Sequence, residues 1–159
     1  MTDRLSHVGP DGEARMVDVS GKPTTVRTAR AAGSIRMAAA TLAAIEAQSL
    51  KKGDVLGVAR VAAIMAAKRT AELVPLCHPL PLDDIQVQLR PDPALPGIRV
   101  EATARTTART GIEMEAIVAV TMALVTVYDM AKGMDRGMTI GDVMLMEKTG
   151  GQGGDWARG

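Results

Sequence analysis

The chain of 159 residues has the length of one ordinary domain, and its 47% apolar content is enough for a single core. A formal net charge of +1, from 19 Lys and Arg against 18 Asp and Glu, excludes the broad positive field of a non-specific nucleic-acid binder. One cysteine, Cys77, excludes an internal disulfide framework and fits a reducing compartment.

With no Phe, one Tyr and one Trp, the core must be built from Ala, Val, Leu and Ile, with the eleven Met expected to fill irregular gaps. Scarcity of large aromatics also favours burying further apolar surface between subunits.

Residues 1–14 contain Gly9, Pro10 and Gly12 and read as a loose lead-in, without the apolar run of a secretory signal. Residues 15–36 favour extended structure, and 38–48 carry helix formers such as Leu42, Ala43, Ala44 and Ile45. Lys51-Lys52-Gly53-Asp54 interrupts them, with Asp54 placed to cap a second helix over 55–72. That helix is apolar on most sides, which predicts burial. Pro75, Pro79 and Pro81 then exclude helix interior and central strand.

Apolar and polar residues alternate over 84–90 and over 98–107, and the Pro-rich link between them predicts an antiparallel hairpin. A long helix follows over 113–132, then a strand over 139–147 and a Gly-rich, flexible tail over 149–159. The uncharged stretch 116–128 is too short to span a bilayer. A soluble, cytoplasmic protein is expected. The order strand, helices, strand, strand, helix, strand is the βαββαβ pattern of a ferredoxin-like α+β fold, in one domain over 1–159.

Three segments carry candidate chemistry. In Pro75-Leu76-Cys77-His78-Pro79 the proline after His78 biases it to extended backbone and a fixed direction, although a rigid surface turn explains the same residues. One Cys and two His do not make a zinc ligand set, and adjacent Cys77 and His78 in extended structure point apart. In Thr110-Gly111-Ile112-Glu113-Met114-Glu115 the two carboxylates suit a helix start. They share a face if extended and lie on different faces if helical, and the sequence leaves both open. Asp129 and Lys132, three apart at the end of an apolar helix, are neighbours on one face. They read either as a helix-end ion pair or as an acid/base pair. Lys51, Lys52, Lys68, Arg69, Arg105 and Arg109 suit a polyphosphate if the fold gathers them, and an ordinary wet surface if not. No Walker or dinucleotide fingerprint is present.

Together, Ala14-Arg15-Met16-Val17-Asp18-Val19-Ser20, Lys52-Gly53-Asp54, Ala66-Ala67-Lys68-Arg69-Thr70, Pro75-Leu76-Cys77-His78-Pro79-Leu80, Thr110-Gly111-Ile112-Glu113-Met114-Glu115-Ala116 and Val127-Tyr128-Asp129-Met130-Ala131-Lys132 resemble the signature blocks of one family. It is the molybdenum cofactor biosynthesis protein C family, the cyclic pyranopterin monophosphate synthases.

The resemblance implies a ferredoxin-like subunit in a hexamer, a trimer of dimers with sites at the dimer interface. It implies a substrate supplied by a radical S-adenosylmethionine GTP cyclase, 3′,8-cyclo-7,8-dihydroguanosine 5′-triphosphate. The products would be cyclic pyranopterin monophosphate and pyrophosphate, with no cofactor or metal of the enzyme's own. Carried over by position, Lys52, Asp129 and Lys132 are catalytic. Leu76, Cys77, His78, Glu113, Met114 and Glu115 bind substrate. Arg109 stands where the family usually has Lys, which keeps the charge. Gln152 stands where Lys is common, which removes one from the tail. The rival readings are a non-catalytic ferredoxin-like binding module and a metal-dependent hydrolase.

Overall fold

A computed structural model describes residues 8–9 and 11–159. The elements are β1 (Thr25–Arg36), α1 (Ala39–Glu46), α2 (Val55–Ala67), α3 (Thr70–Leu73), β2 (Asp84–Asp92), β3 (Gly97–Ala108), α4 (Glu113–Ala131), β4 (Thr139–Thr149) and β5 (Trp156–Ala157). They form one antiparallel sheet in the order β2-β3-β1-β4-β5, with the helices packed against it. The four long strands keep the ferredoxin-like order, and β5 extends one edge.

Side chains alternate across β1 and β3, so Ala29, Ala31, Ile35, Ile98, Val100, Ala102 and Ala104 share the inner face. Against them lie Ala116, Ala119, Val120, Ala123, Leu124 and Val127 of α4. Small residues on both sides let the helix approach closely. At Gly33 an added Cβ would lie 2.8 Å from Val120 Cγ1 and 3.0 Å from Leu124 Cδ1, so the contact requires glycine there. This contact fixes where both ends of α4 project.

The structure departs from the sequence-based expectations in four places. Among the described residues only Met37, Met130 and Met138 of the methionines are buried, and Ala, Val, Ile and Leu fill most of the core. The second helix stops at Ala67 rather than continuing to Glu72, because the chain tightens there. Arg69 N–H donates to the Ala66 carbonyl and the Thr70 hydroxyl to the Ala67 carbonyl, and a separate short α3 follows. α2 is buried on one face only: Val55, Ala59 and Ala63 face inward, while Val58, Val61 and Met65 are exposed.

The fourth departure is the tail, which folds back as a strand instead of hanging free. Arg158 N–H donates to the Met146 carbonyl, Gly150 N–H to Asp155 and Lys148 Nζ to the Gly154 carbonyl. Its glycines are needed for a close crossing of β1, since a Cβ on Gly150 would lie 2.3 Å from the Val26 carbonyl oxygen. Of the expected lead-in, residues 1–7 and 10 lie outside the described residues.

By length and composition α4 is apolar enough to cross a membrane, but its inner face is core against the sheet and α2. It is the central helix of the fold.

Candidate active site

The two ends of α4 carry two separate clusters. At its C-terminal end, Lys52 reaches in from the α1–α2 connection. Asp54 caps α2 just beyond, its carboxylate accepting from Gly57 N–H at 2.9 Å, and Gly53 takes φ +84°, so the turn that carries Lys52 is defined on one side. Lys52 Nζ donates to the Asp129 carboxylate at 2.9 Å and to the Asp129 backbone carbonyl at 2.8 Å. Lys132 Nζ lies 2.7 Å from the other carboxylate oxygen. One carboxylate therefore holds two ammonium groups, with side-chain exposures of 49%, 55% and 52% for Lys52, Asp129 and Lys132. Hydrogen bonding from Lys132 first, and then from Lys52, holds the Asp129 carboxyl down at about 2.

At the N-terminal end, α4 begins at Glu113, so Glu113 and Glu115 occupy its first turn on different faces. Glu115 is only 4% exposed. Burial pushes its carboxyl up, and the nearby Glu113 charge pushes the same way. A cavity of about 200 Å³ is lined by Leu76, Cys77, His78, Glu113, Met114 and Glu115 together with Thr110 and Gly111. All six residues assigned to substrate binding thus face one space. Cys77 and His78 both border this cavity, and Cys77 N–H donates to the Val74 carbonyl, closing a turn just before His78. Burial, and then the Glu115 charge, raises the Cys77 thiol, so it is a poor nucleophile.

Glu115 also borders a second cavity of about 290 Å³, with Lys68, Arg69 and Pro81 among its lining residues. Two cations therefore flank the carboxylate pocket. Arg109 falls outside β3, which ends at Ala108, so it does not share a strand face with Arg105. Among the described residues no three His, Cys, Asp or Glu side chains gather as a metal site.

The sequence reading missed two residues near this pocket. Ser20 hydrogen bonds first, and then the neighbourhood of Arg15 and His78, hold the Asp18 carboxyl below its ordinary value. No pattern in the sequence marks that neighbourhood. Arg27 is 9% exposed and donates to the carbonyls of Ala108 and Arg109, each at 3.2 Å, which braces the strand-to-helix junction before Glu113. A signal for it existed: Arg27 shares the inward parity of Ala29 and Ala31.

An α+β fold with a lysine–carboxylate–lysine cluster at one end of a helix and a carboxylate-lined pocket at the other fits the class of small-molecule enzymes.

Comparison with known proteins identifies the family. The model of the MoaC family matches residues 16–151. A cyclic pyranopterin monophosphate synthase of Nostoc sp. is 54% identical over 152 residues, covering 96% of this chain and 90% of that protein. A protein of the same name from Brucella ovis is 52% identical over 157 residues, covering 99% and 95%. The chain belongs to the MoaC family, the cyclic pyranopterin monophosphate synthases of molybdenum cofactor biosynthesis.

Proposed function

We propose that the chain converts 3′,8-cyclo-7,8-dihydroguanosine 5′-triphosphate into cyclic pyranopterin monophosphate with release of pyrophosphate, and that Lys52, Asp129 and Lys132 carry the proton transfers. The observation that carries this reading is the shared carboxylate, with Lys52 at 2.9 Å and Lys132 at 2.7 Å. Opening the imidazole ring and rebuilding a pyrazine require protons to be delivered and removed at several atoms. Two amines aimed at one place supply donors and, once deprotonated, acceptors. Held down at about 2, the Asp129 carboxyl orients and charge-balances the two lysines through which the cluster moves protons. Two ammoniums against one carboxylate also leave a surplus positive charge, which favours an arriving phosphate.

Leu76, Cys77, His78, Glu113, Met114 and Glu115 hold the substrate, and Lys68 and Arg69 meet its phosphates as pyrophosphate departs. Glu115 and Asp129 are 14 residues apart on one helix, about 21 Å at 1.5 Å per residue. One helix does not wrap a nucleotide from both ends. Each working site therefore combines the lysine end of one subunit with the carboxylate end of another, in a hexamer built as a trimer of dimers. Exposed Val58, Val61, Met65 and Val125 provide apolar surface for such assembly. The enzyme acts in the cytoplasm, after a radical S-adenosylmethionine GTP cyclase, without a cofactor of its own.

The test is to supply the cyclised dihydro-GTP to purified protein and follow pyranopterin and pyrophosphate. Stoichiometric appearance of both is expected, and absence of both ends the reading.

A further inference from the structure

The lysine cluster is made from two stretches of chain, and a contact outside the cluster ties those stretches together. One stretch runs from the start of α1 through the connection to Lys52. The other is the end of α4 with Asp129 and Lys132, and the turn after it. In that turn the N–H groups of Met134 and Asp135 both donate to the Ala131 carbonyl, at 2.9 and 3.1 Å. Three residues beyond Lys132, the chain is therefore still coiled tightly under it. On its other side the turn is held by Tyr128, whose hydroxyl donates to the Arg136 carbonyl at 3.1 Å.

α1 has only eight residues, and Ala38, at its N-cap position, has no side chain to cap it. A helix that short is not stable by itself, and its first amide groups need acceptors. Asp135 supplies one from across the fold. Its Oδ2 accepts from Ala38 N–H at 2.8 Å and from the Thr41 hydroxyl at 3.4 Å, while its Oδ1 accepts from Gly137 N–H at 2.9 Å. Thr41 is 1% exposed, so the bond reaches into the packed base of α1. One carboxylate oxygen thus grips α1 and the other grips the turn that follows Lys132.

We propose that Asp135 is a positioning residue, which sets the separation of Lys52 from Lys132 by docking the start of α1 onto the turn after α4. The proposal rests on the reading of Lys52, Asp129 and Lys132 as the catalytic cluster. Leu42 and Ile45 also anchor α1 in the core, so losing the tether shifts the helix without releasing it. Misplacement of a proton-transfer group by a fraction of an ångström to about 1 Å lowers turnover by a factor of roughly ten to a hundred. Most of the proposed substrate contacts lie at the carboxylate end, in a cavity that neither segment lines, and Asp135→Ala leaves the charges of Lys52 and Lys132 in place, so KM should move far less than kcat.

The experiment compares four proteins by kcat, KM and melting temperature: wild type, Asp135→Ala, Asp135→Ala with Ala38→Asp, and Lys132→Ala. Ala38 is exposed, so a side chain fits there and caps α1 locally without a link to α4. The expected result is a kcat at least about tenfold lower for Asp135→Ala at nearly unchanged KM. The double variant should regain melting temperature but not kcat. Wild-type kcat in Asp135→Ala overturns the proposal, and so does recovery of kcat in the double variant, which would reduce Asp135 to an ordinary helix cap. If Lys132→Ala stays active, the reading of the cluster fails and takes the proposal with it. If Lys132→Ala is dead and Asp135→Ala is not, only the positioning role is lost.

Discussion

The two ends of α4 handle charge in opposite ways. At the C-terminal end the groups are about half exposed and mutually paired, and pairing pulls the Asp129 carboxyl down to about 2. At the N-terminal end Glu115 is almost wholly buried, and burial raises its carboxyl. The paired end is settled before substrate arrives: its lysines are already aimed. The buried end is strained in the free protein, because an ionised carboxylate inside a pocket lacks the solvation it has in water. Ligand N–H groups or cations entering that pocket offset the cost. In the proposed site, binding and proton transfer fall to opposite ends of α4.

The largest effects should come from the lysine end. Lys132→Ala and Lys52→Ala should each lower turnover by about 10²–10⁴, the usual contribution of a general acid or base. Both side chains are about half exposed, so melting temperatures should move little. Lys132→Arg sharpens the test: it keeps the charge but does not release a proton near neutral pH. Normal turnover by Lys132→Arg would make the residue an electrostatic clamp.

Subunit mixing tests the comparison itself. Lys132→Ala and His78→Ala should each be impaired alone, the second through substrate binding. If a site draws one end from each subunit of a dimer, mixed dimers regain one intact site. Random exchange should then return about a quarter of wild-type activity. No recovery after verified exchange would place both ends of a site in one subunit.

Glu115→Gln should separate stability from function at the other end. A carboxyl whose folded value is raised contributes its stability below the unfolded value and loses it as pH rises through the folded one. At neutral pH, above the unfolded value, Glu115 therefore opposes folding, and the neutral amide removes that opposition. The variant should melt higher than wild type at pH 7 while binding substrate less well. The gap should shrink toward pH 4. An unchanged or lower melting temperature at pH 7 would mean that Glu115 is not strained.

Period-two and helical patterning made the fold legible: β2, β3 and α4 lie within two residues of where alternation and apolar content put them. The end of α2 was not legible, because nothing in an apolar run marks where Thr70 will take a carbonyl. The tail was misread because its glycines signal looseness locally, whereas they serve a crossing of β1 that only the sheet order reveals. For the site, spacing showed that Asp129 and Lys132 are neighbours. It did not show that Lys52, 77 positions away along the chain, shares the same carboxylate. Asp135 was equally silent, since its partners Ala38 and Thr41 lie 97 and 94 positions away.

The smallest predicted effect concerns the acid side of stability. Asp129 has a depressed folded value, so its pairing contributes stability above the unfolded value of 3.8, lost as pH falls toward about 2. Asp129→Asn lacks that contribution at every pH. The wild type should therefore melt slightly above Asp129→Asn at neutral pH, and the two should converge between about pH 4 and pH 2. The difference should be small, because exposed ion pairs contribute little, and 1 M salt should erase most of it. Turnover behaves differently: an acid limb above pH 4 in the rate profile of the wild type belongs to some group other than Asp129. A melting difference that persists at pH 2, or that salt leaves untouched, would show that Asp129 supports the fold by means other than its charge. The pairing seen at the lysine end would then be incidental to stability, and its whole purpose would lie in aiming Lys52 and Lys132.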